Sequence, residues 1–149
     1  MSTAPRFTIR VYGLLLHQRA LLLSRENIKG ECYTKFPGGG LEYGEGTLQC
    51  LKREFQEEAH IEVEPTQHFY TTEIFVPSAF GKEVQVMSIY YWVSSTQINR
   101  LSTVNAFSDS ALRQNGDQQL FWQPLTELDP DDVDLPIDKI VVQRLLNQL

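Results

Sequence analysis

The strongest constraint on the fold is a segment in the second half of the chain that is apolar on both faces of a strand. Residues 83–94 have strand composition, and Ile89, Tyr90, Tyr91 and Trp92 follow one another within them. Side chains alternate between the two faces of a sheet, so consecutive apolar residues make both faces apolar. A sheet of this kind is covered on both sides. The segment therefore predicts a layered fold with helices on either side of a central sheet.

Two other segments have the periodicity of covering helices. Within Thr47–Ala59, the apolar residues Leu48, Leu51 and Phe55 recur at helical spacing. A second helical pattern runs through residues 136–149, with proline in a tolerated first-turn position. The remaining pattern predicts strands at 7–16, 19–24, 61–63, 69–76 and 120–123, and loops at 24–35 and 96–117. We expect an α/β domain, an α/β/α sandwich with a mixed central sheet.

The composition is that of one globular domain spanning residues 1–149. Hydrophobic residues make up 42% and charged residues 21% of the chain, which argues against disorder. No apolar stretch approaches the roughly 18 residues of a membrane span, and the N-terminus lacks the order of a secretory signal. Cys32 and Cys50 form neither a CxxC pair nor a disulfide framework. We expect a reduced, cytoplasmic, soluble protein without a membrane partner.

Charge is unevenly distributed along the chain. The net charge is 13 − 19 = −6, which disfavours long nucleic acid as a partner. Residues 1–35 nevertheless carry six basic against two acidic residues, a net of +4, whereas residues 42–64 carry two against seven, a net of −5. Carboxylates beside a basic segment suit a metal ion that carries phosphates. A solvated charged helix is the alternative.

Three glutamates lie on one side of the first predicted helix. Glu54, Glu57 and Glu58 stand at positions i, i+3 and i+4 and flank the apolar stripe. Arg53 can pair with Glu57, but one arginine does not neutralise three carboxylates. Oxygen ligands grouped in this way suit Mg²⁺ or Mn²⁺, whereas no histidine has zinc-ligand spacing with a cysteine. The pattern therefore predicts a site for a hard divalent cation.

A glycine-rich segment precedes this helix. Gly38–Gly40 follow Phe36 and a proline, a run that no helix and few strand interiors tolerate. Glu42 and Glu45 come directly after it. We expect a loop whose backbone amides allow close approach of a ligand, although a tight turn explains three glycines about as well.

Residues 39–61 resemble the Nudix box, G-x5-E-x7-R-E-U-x-E-E-x-G-U, in which U is an aliphatic or bulky apolar residue. Glu45, Arg53-Glu54 and Glu57-Glu58 occupy the charged positions of this motif. His60 stands where the family has glycine. That glycine ends the helix with positive φ, and histidine is among the few other residues that adopt this conformation. Because every charged position is present, the resemblance is specific, and the strand pattern on either side also resembles the family's α/β/α sandwich.

The resemblance implies a Mg²⁺-dependent pyrophosphohydrolase, which cleaves a nucleoside diphosphate linked to another group. It implies that Glu54, Glu57 and Glu58 hold the metal. It also implies a catalytic set of Glu54, Arg53, Glu57 and Glu45, in which Arg53 orients the glutamates and Glu45 braces them. The general base matches Glu54 in some branches of the family and belongs to a later loop in others.

The expected substrate contacts lie around the glycine-rich segment and a later loop. The predicted substrate-binding residues are Gly38, Gly39, Gly40, Glu42, Phe36 and Asp117. The pocket for the base or sugar is also expected to use Phe75, Phe80 and the loop at 96–117, with core packing as the alternative for each aromatic residue. Asp117 is equally well explained as a turn residue after Asn115-Gly116.

The resemblance does not identify the substrate. Pro77 lies 77 − 61 = 16 residues past Ile61, a spacing that the family links to ADP-ribose-type compounds. Nucleotide sugars and oxidised or ordinary nucleoside triphosphates stay open. The alternatives are a non-catalytic nucleotide-sugar sensor, which often loses the glutamates kept here, and a decapping enzyme, which the net charge disfavours. A homodimer is compatible with the sequence, since many small members of the family are dimers.

Overall fold

Seven strands and two α-helices are present in the computed structural model, which describes residues 4–149. Residues 1–3, part of the N-terminus considered above for a signal sequence, lie outside the described residues. The strands are β1 (Arg6–His17), β2 (Ala20–Ile28), β3 (Glu31–Lys35), β4 (Gly38–Gly40), β5 (Glu64–Thr71), β6 (Val84–Ser94) and β7 (Gln118–Pro124). The helices are α1 (Thr47–Ala59) and α2 (Pro136–Asn147), and neither combines the length and hydropathy that a membrane span requires.

The sheet is mixed, as predicted. β1 runs parallel to β6 and antiparallel to β2 and β4. β5 adds antiparallel to β6, and β2 also pairs with β3 and β7. The strand order is β3-β2-β1-β6-β5, with β4 beside β1 and β7 beside β2. β1 is therefore the strand that joins the two halves of the sheet.

Each face of the sheet packs against one helix. Tyr90 of β6 belongs to a core that contains Val141 of α2, while Val93 of the same strand belongs to a core that contains Phe55 of α1. β1 divides its side chains in the same way, because alternate residues point to opposite faces. This arrangement confirms the α/β/α sandwich that the doubly apolar strand predicted.

One glycine sets how closely α1 approaches the sheet. A Cβ atom on Gly13 of β1 would lie 2.6 Å from the ring of Phe55, far inside normal contact. Glycine in a strand interior often marks such a close approach. No local sequence pattern indicates this contact, because Phe55 is 42 positions away from Gly13.

The predicted β1–β2 hairpin is confirmed, but the prediction of a polar loop at residues 24–35 is wrong. Gln18 and Arg19 turn the first hairpin with φ of 50° and 61°, the backbone of a type I′ turn. Residues 24–35 form a second hairpin, the end of β2 and all of β3. Polar side chains of this hairpin form hydrogen bonds between its two strands. Arg25 Nη1, for example, donates to Thr34 Oγ1 at 3.0 Å.

Three further boundaries differ from the prediction. Residues 61–63 are a link without strand pairing in which Ile61 and Val63 are buried, and β5 covers 64–71 rather than 69–76. The glycine run forms strand β4 instead of a loop. It does so because a Cβ on Gly38 would lie 2.1 Å from the Val11 carbonyl oxygen, so only glycine can pair this tightly against β1.

Candidate active site

The helix that carries the three glutamates has defined ends. It begins after Gly46, whose N–H donates to the Gln49 side chain at 2.8 Å. It ends at His60, which has φ 57° and ψ 32° and donates its N–H to the Gln56 carbonyl. The predicted positive φ of His60 is therefore confirmed. Leu51 and Phe55 anchor the helix in the core, whereas Leu48 stays about half exposed.

Arg53 is the centre of the carboxylate group on this helix. Its Nε and Nη2 donate to the two oxygens of Glu45 at 3.0 and 2.7 Å. Its Nη1 donates to Glu54 at 3.0 Å and to Glu57 at 3.2 Å. Nη2 also donates to the Gly40 carbonyl at 3.0 Å, which ties the helix to β4. One guanidinium therefore orients three carboxylates, as its planar fork permits.

The charges of this network support one another. Hydrogen bonds from Arg53 hold the pKa of the Glu45 carboxyl at about 2. The same bonds raise the pKa of Arg53 above its ordinary value. Both groups are therefore fully charged at neutral pH, and Glu45 is a fixed anchor rather than a proton donor.

Two glycines of β4 determine where the other carboxylates lie. A Cβ on Gly39 would come within 2.5 Å of the Glu54 carboxylate, so Glu54 occupies the space that a side chain would fill. Gly38 donates its N–H to Glu58 Oε2 at 3.2 Å. Burial is the main cause that raises the pKa of Glu58 to about 7, although Lys35 acts in the opposite direction. Strand β4 thus contacts two of the three glutamates, Glu54 and Glu58.

These carboxylates have the donor chemistry of a divalent-cation site. Within residues 4–149, no three ligand-type side chains are close enough to enclose a metal ion as they stand. A hard cation such as Mg²⁺ does not need such a cage, because it accepts one or two carboxylates together with waters and phosphate oxygens. Glu57, which is 58% exposed, and the sheltered Glu54 and Glu58 suit this type of coordination.

A cavity of about 360 Å³ lies on the α2 side of the sheet. Arg10 and Lys35 line it, and both are held by Tyr12: Arg10 Nε donates to its hydroxyl at 2.6 Å, and Lys35 Nζ lies 5.5 Å from its ring centre. Burial lowers the pKa of Lys35, but the charges of Glu58, Tyr12 and Glu26 together more than offset it, and the pKa is raised. These cations therefore interact with the carboxylates of α1 from inside the cavity.

The structure separates the predicted substrate-binding residues. Phe80 lines the cavity, and Phe75 lines a neighbouring one of about 270 Å³. Phe36 lines neither cavity: it is fully buried and packs edge-on against Tyr90 with ring centres 5.7 Å apart. Glu42 is exposed, with an oxygen 3.7 Å from Arg53 Nη1.

The later loop is also placed away from the cavity. None of residues 96–117 lines it. Asp117 accepts a hydrogen bond from the Gln114 backbone N–H at 2.9 Å, and Gly116 has φ 95°. The turn interpretation of Asp117 therefore describes its position.

Sequence reasoning missed the polar residues inside the cavity. Arg10, Lys35 and Asp138 line it, from β1, β3 and α2. A usable signal was present in two cases. Arg10 interrupts an apolar run, and Asp138 lies on the helix face of Val141, Val142 and Leu145, at offsets of three, four and seven.

A family model described as the NUDIX domain matches residues 6–145, and the chain belongs to this family. It is thus a pyrophosphohydrolase of a class that acts on nucleoside diphosphate derivatives and generally uses a divalent metal. Solved structures with the same fold include a NUDIX hydrolase from Nitrosomonas europaea, with TM-score 0.70, 16% identity and coverage of 97% of this chain and 90% of that one. The E. coli ORF135 protein matches with TM-score 0.68 and 15% identity, and the match covers 96% of this chain and 91% of that one. A MutT protein from Methanosarcina mazei Go1 matches with TM-score 0.67 and 18% identity, and the match covers 99% of this chain and 98% of that one. A comparison with curated proteins gives no match.

Proposed function

We propose that this protein uses Mg²⁺ or Mn²⁺ to hydrolyse the pyrophosphate bond of a nucleoside diphosphate linked to another group. Glu54, Glu57 and Glu58 would hold the cation. One observation carries the proposal: the carboxylate group centred on Arg53 lies on α1 next to a cavity lined by two cations. This arrangement supports neighbouring sites for the metal, the phosphates and the nucleoside.

The protein's own residues organise the reaction. Arg53 holds Glu54 and Glu57 toward one another, and Glu45 fixes Arg53 from the preceding loop. When bound, the divalent cation supplies positive charge that offsets the charge growing on the phosphate oxygens. A carboxylate of this group accepts the proton of the attacking water. Because Glu45 is anchored by two bonds to Arg53, its role is to position rather than to accept a proton.

The cavity suits the nucleoside part of the substrate. Arg10 and Lys35 provide cationic donors for phosphate oxygens, and Phe80 provides an aromatic surface for a base. One solved structure with a similar fold, at TM-score 0.58 and 13% identity, is described as a UDP-X diphosphatase. This supports including uridine diphosphate compounds among the candidate substrates, beside ADP-ribose, other nucleotide sugars and nucleoside triphosphates.

A substrate panel tests the proposal. The purified protein is incubated with each compound in Mg²⁺, and the products are separated and identified. We expect cleavage between phosphorus atoms, release of a nucleotide, and loss of turnover in excess EDTA that added Mg²⁺ restores. Absence of cleavage across the whole panel, or full turnover in EDTA, would overturn the proposal.

A further inference from the structure

The most deeply buried cation that lines the cavity has a carboxylate partner. Lys35 is only 2% exposed, and its Nζ lies 3.6 Å from Glu26 Oε1. Ser24 of β2 stands opposite Lys35 of β3, and Glu26 lies two residues further along β2. Residues two apart on a strand share a face, so the side chains of Glu26 and Lys35 meet diagonally across the hairpin. The register of β2 and β3 therefore holds Glu26 against Lys35.

Glu26 acts on two of the cations that line the cavity. Burial lowers the pKa of Lys35 and of Arg10, and the charge of Glu26 is among those that more than offset this effect. Glu26 belongs neither to the carboxylates of α1 nor to the lining of the cavity. A cation that is paired with a carboxylate offers less net charge to a bound phosphate than a free cation does. Glu26 therefore lowers the positive charge that the cavity presents to a substrate.

We propose that Glu26, through its pairing with Lys35, makes the protein favour nucleoside diphosphates joined to an uncharged group over nucleoside triphosphates. This inference rests on the proposed function, in which Arg10 and Lys35 receive phosphate oxygens. The two substrate classes share the nucleoside and the pyrophosphate bond but differ in charge. A triphosphate adds the ionised oxygens of a further phosphate, whereas a sugar adds none. The reduced positive charge of the cavity compensates this additional phosphate poorly, and the Glu26 carboxylate repels it.

A purely structural role of Glu26 leads to a different expectation. The amino group of Lys35 also donates to the Phe36 carbonyl oxygen at 3.3 Å and lies 5.5 Å from the centre of the Tyr12 ring. These contacts hold Lys35 independently of Glu26. In Glu26→Gln the side-chain amide oxygen can still accept a hydrogen bond from Lys35, so the variant removes the charge and keeps the packing. If Glu26 served only to hold Lys35 in place, the variant would change the KM of both substrate classes by the same factor.

The substrate preference of the unaltered protein gives the first test. The value of kcat/KM is measured in Mg²⁺ for UDP-glucose against UTP and for ADP-ribose against ATP, because the members of each pair have the same nucleoside. We expect the compound without the further phosphate to have the higher kcat/KM in each pair that is cleaved. An equal or higher kcat/KM for the triphosphate would overturn the proposal.

A pair of variants tests the residue itself. In Glu26→Gln we expect the ratio of triphosphate to nucleotide-sugar kcat/KM to rise at least about tenfold, mainly through a lower KM for the triphosphate. The matched control is Glu64→Gln, which removes the charge of another glutamate–lysine pair. Glu64 is 72% exposed and lies 3.4 Å from Lys52, so this variant should keep the preference of the unaltered protein. An unchanged ratio in Glu26→Gln, with both KM values shifted equally or not at all, would overturn the proposal.

The two proposals can fail separately. If no compound of the substrate panel is cleaved, the proposed function fails. If compounds are cleaved and the triphosphates are preferred, the hydrolase stands and the role of Glu26 is wrong. The comparison on the unaltered protein remains decisive even if Glu26→Gln does not fold.

Discussion

Replacing Gly39 by alanine should damage catalysis with little effect on folding. A Cβ at this position would lie 2.5 Å from the Glu54 carboxylate, whereas ordinary contact begins near 3.4 Å. The carboxylate must therefore move by at least 3.4 − 2.5 = 0.9 Å from the position in which it accepts its bond from Arg53. A displacement of about 1 Å in a catalytic group lowers rates by about 10²-fold. Steady-state kinetics with Mg²⁺ should show this loss mainly in kcat.

The stability of the Gly39→Ala variant should change little. The group that has to move is the end of a flexible side chain, and Gly39 does not have positive φ. Alanine also reduces the freedom of the unfolded chain, which is worth about 0.4–1 kcal/mol. Thermal melting should therefore change by no more than a few degrees.

Gly46→Ala is the matched control for this prediction. Its Cβ would lie 3.6 Å from the Gln49 side chain, an ordinary contact. We expect an unchanged kcat and a small loss of stability at the start of α1. The reasoning is refuted if Gly39→Ala retains the wild-type kcat, or if both alanine variants lose activity equally.

Three further substitutions test other parts of the site. Because burial raises the pKa of Glu58 from its ordinary value of 4.5 to about 7, the metal-free protein should lose stability as pH rises across that interval. Glu58→Gln should then be more stable at pH 8 by on the order of 3 kcal/mol and similar near pH 4; a lower melting temperature in EDTA at pH 8 would contradict this. His60→Gly should keep kcat and hold or slightly raise the melting temperature, since glycine adopts the φ of 57° without strain; a large fall in kcat would place His60 in the site. Arg53→Lys should lower kcat by about 10²-fold while the protein stays folded, because an ammonium cannot replace the two bonds to Glu45; wild-type kinetics would exclude the orienting role.

Local sequence patterns were sufficient where one segment contained its own signal. α1 has the bounds that the apolar stripe predicted, and β6 has apolar residues on both faces as its sequence indicated. The pattern failed at residues 24–35, where polar side chains looked like a loop. Their partners are long-range: Arg25 contacts Asp109 and Asp134 as well as Thr34. Such pairs leave no trace in a local window.

The candidate site also has one part that a local sequence pattern indicates and one part that it does not. The carboxylates of α1 and Arg53 lie within six positions, so their spacing indicated a common face. The cavity brings together Arg10, Lys35, Tyr90 and Asp138 from four different elements. The pairing of β1 with β6, the attachment of β3 to β1 through β2, and the docking of α2 bring them near each other. The sequence could therefore indicate a metal site but not the shape of the substrate cavity.

The most direct test of the metal assignment is Mn²⁺ binding measured by electron paramagnetic resonance, together with kcat, in Glu57→Gln. Glu57 is the best position because its side chain is 58% exposed and, among the ion pairs of residues 4–149, it contacts Arg53 alone, so its loss disturbs the fold least. Glu127→Gln, at an exposed carboxylate on a separate 3₁₀ turn, is the control. We predict at least about tenfold weaker Mn²⁺ binding and a kcat lower by orders of magnitude in Glu57→Gln alone. Unchanged Mn²⁺ affinity and unchanged kcat in that variant would contradict the assignment.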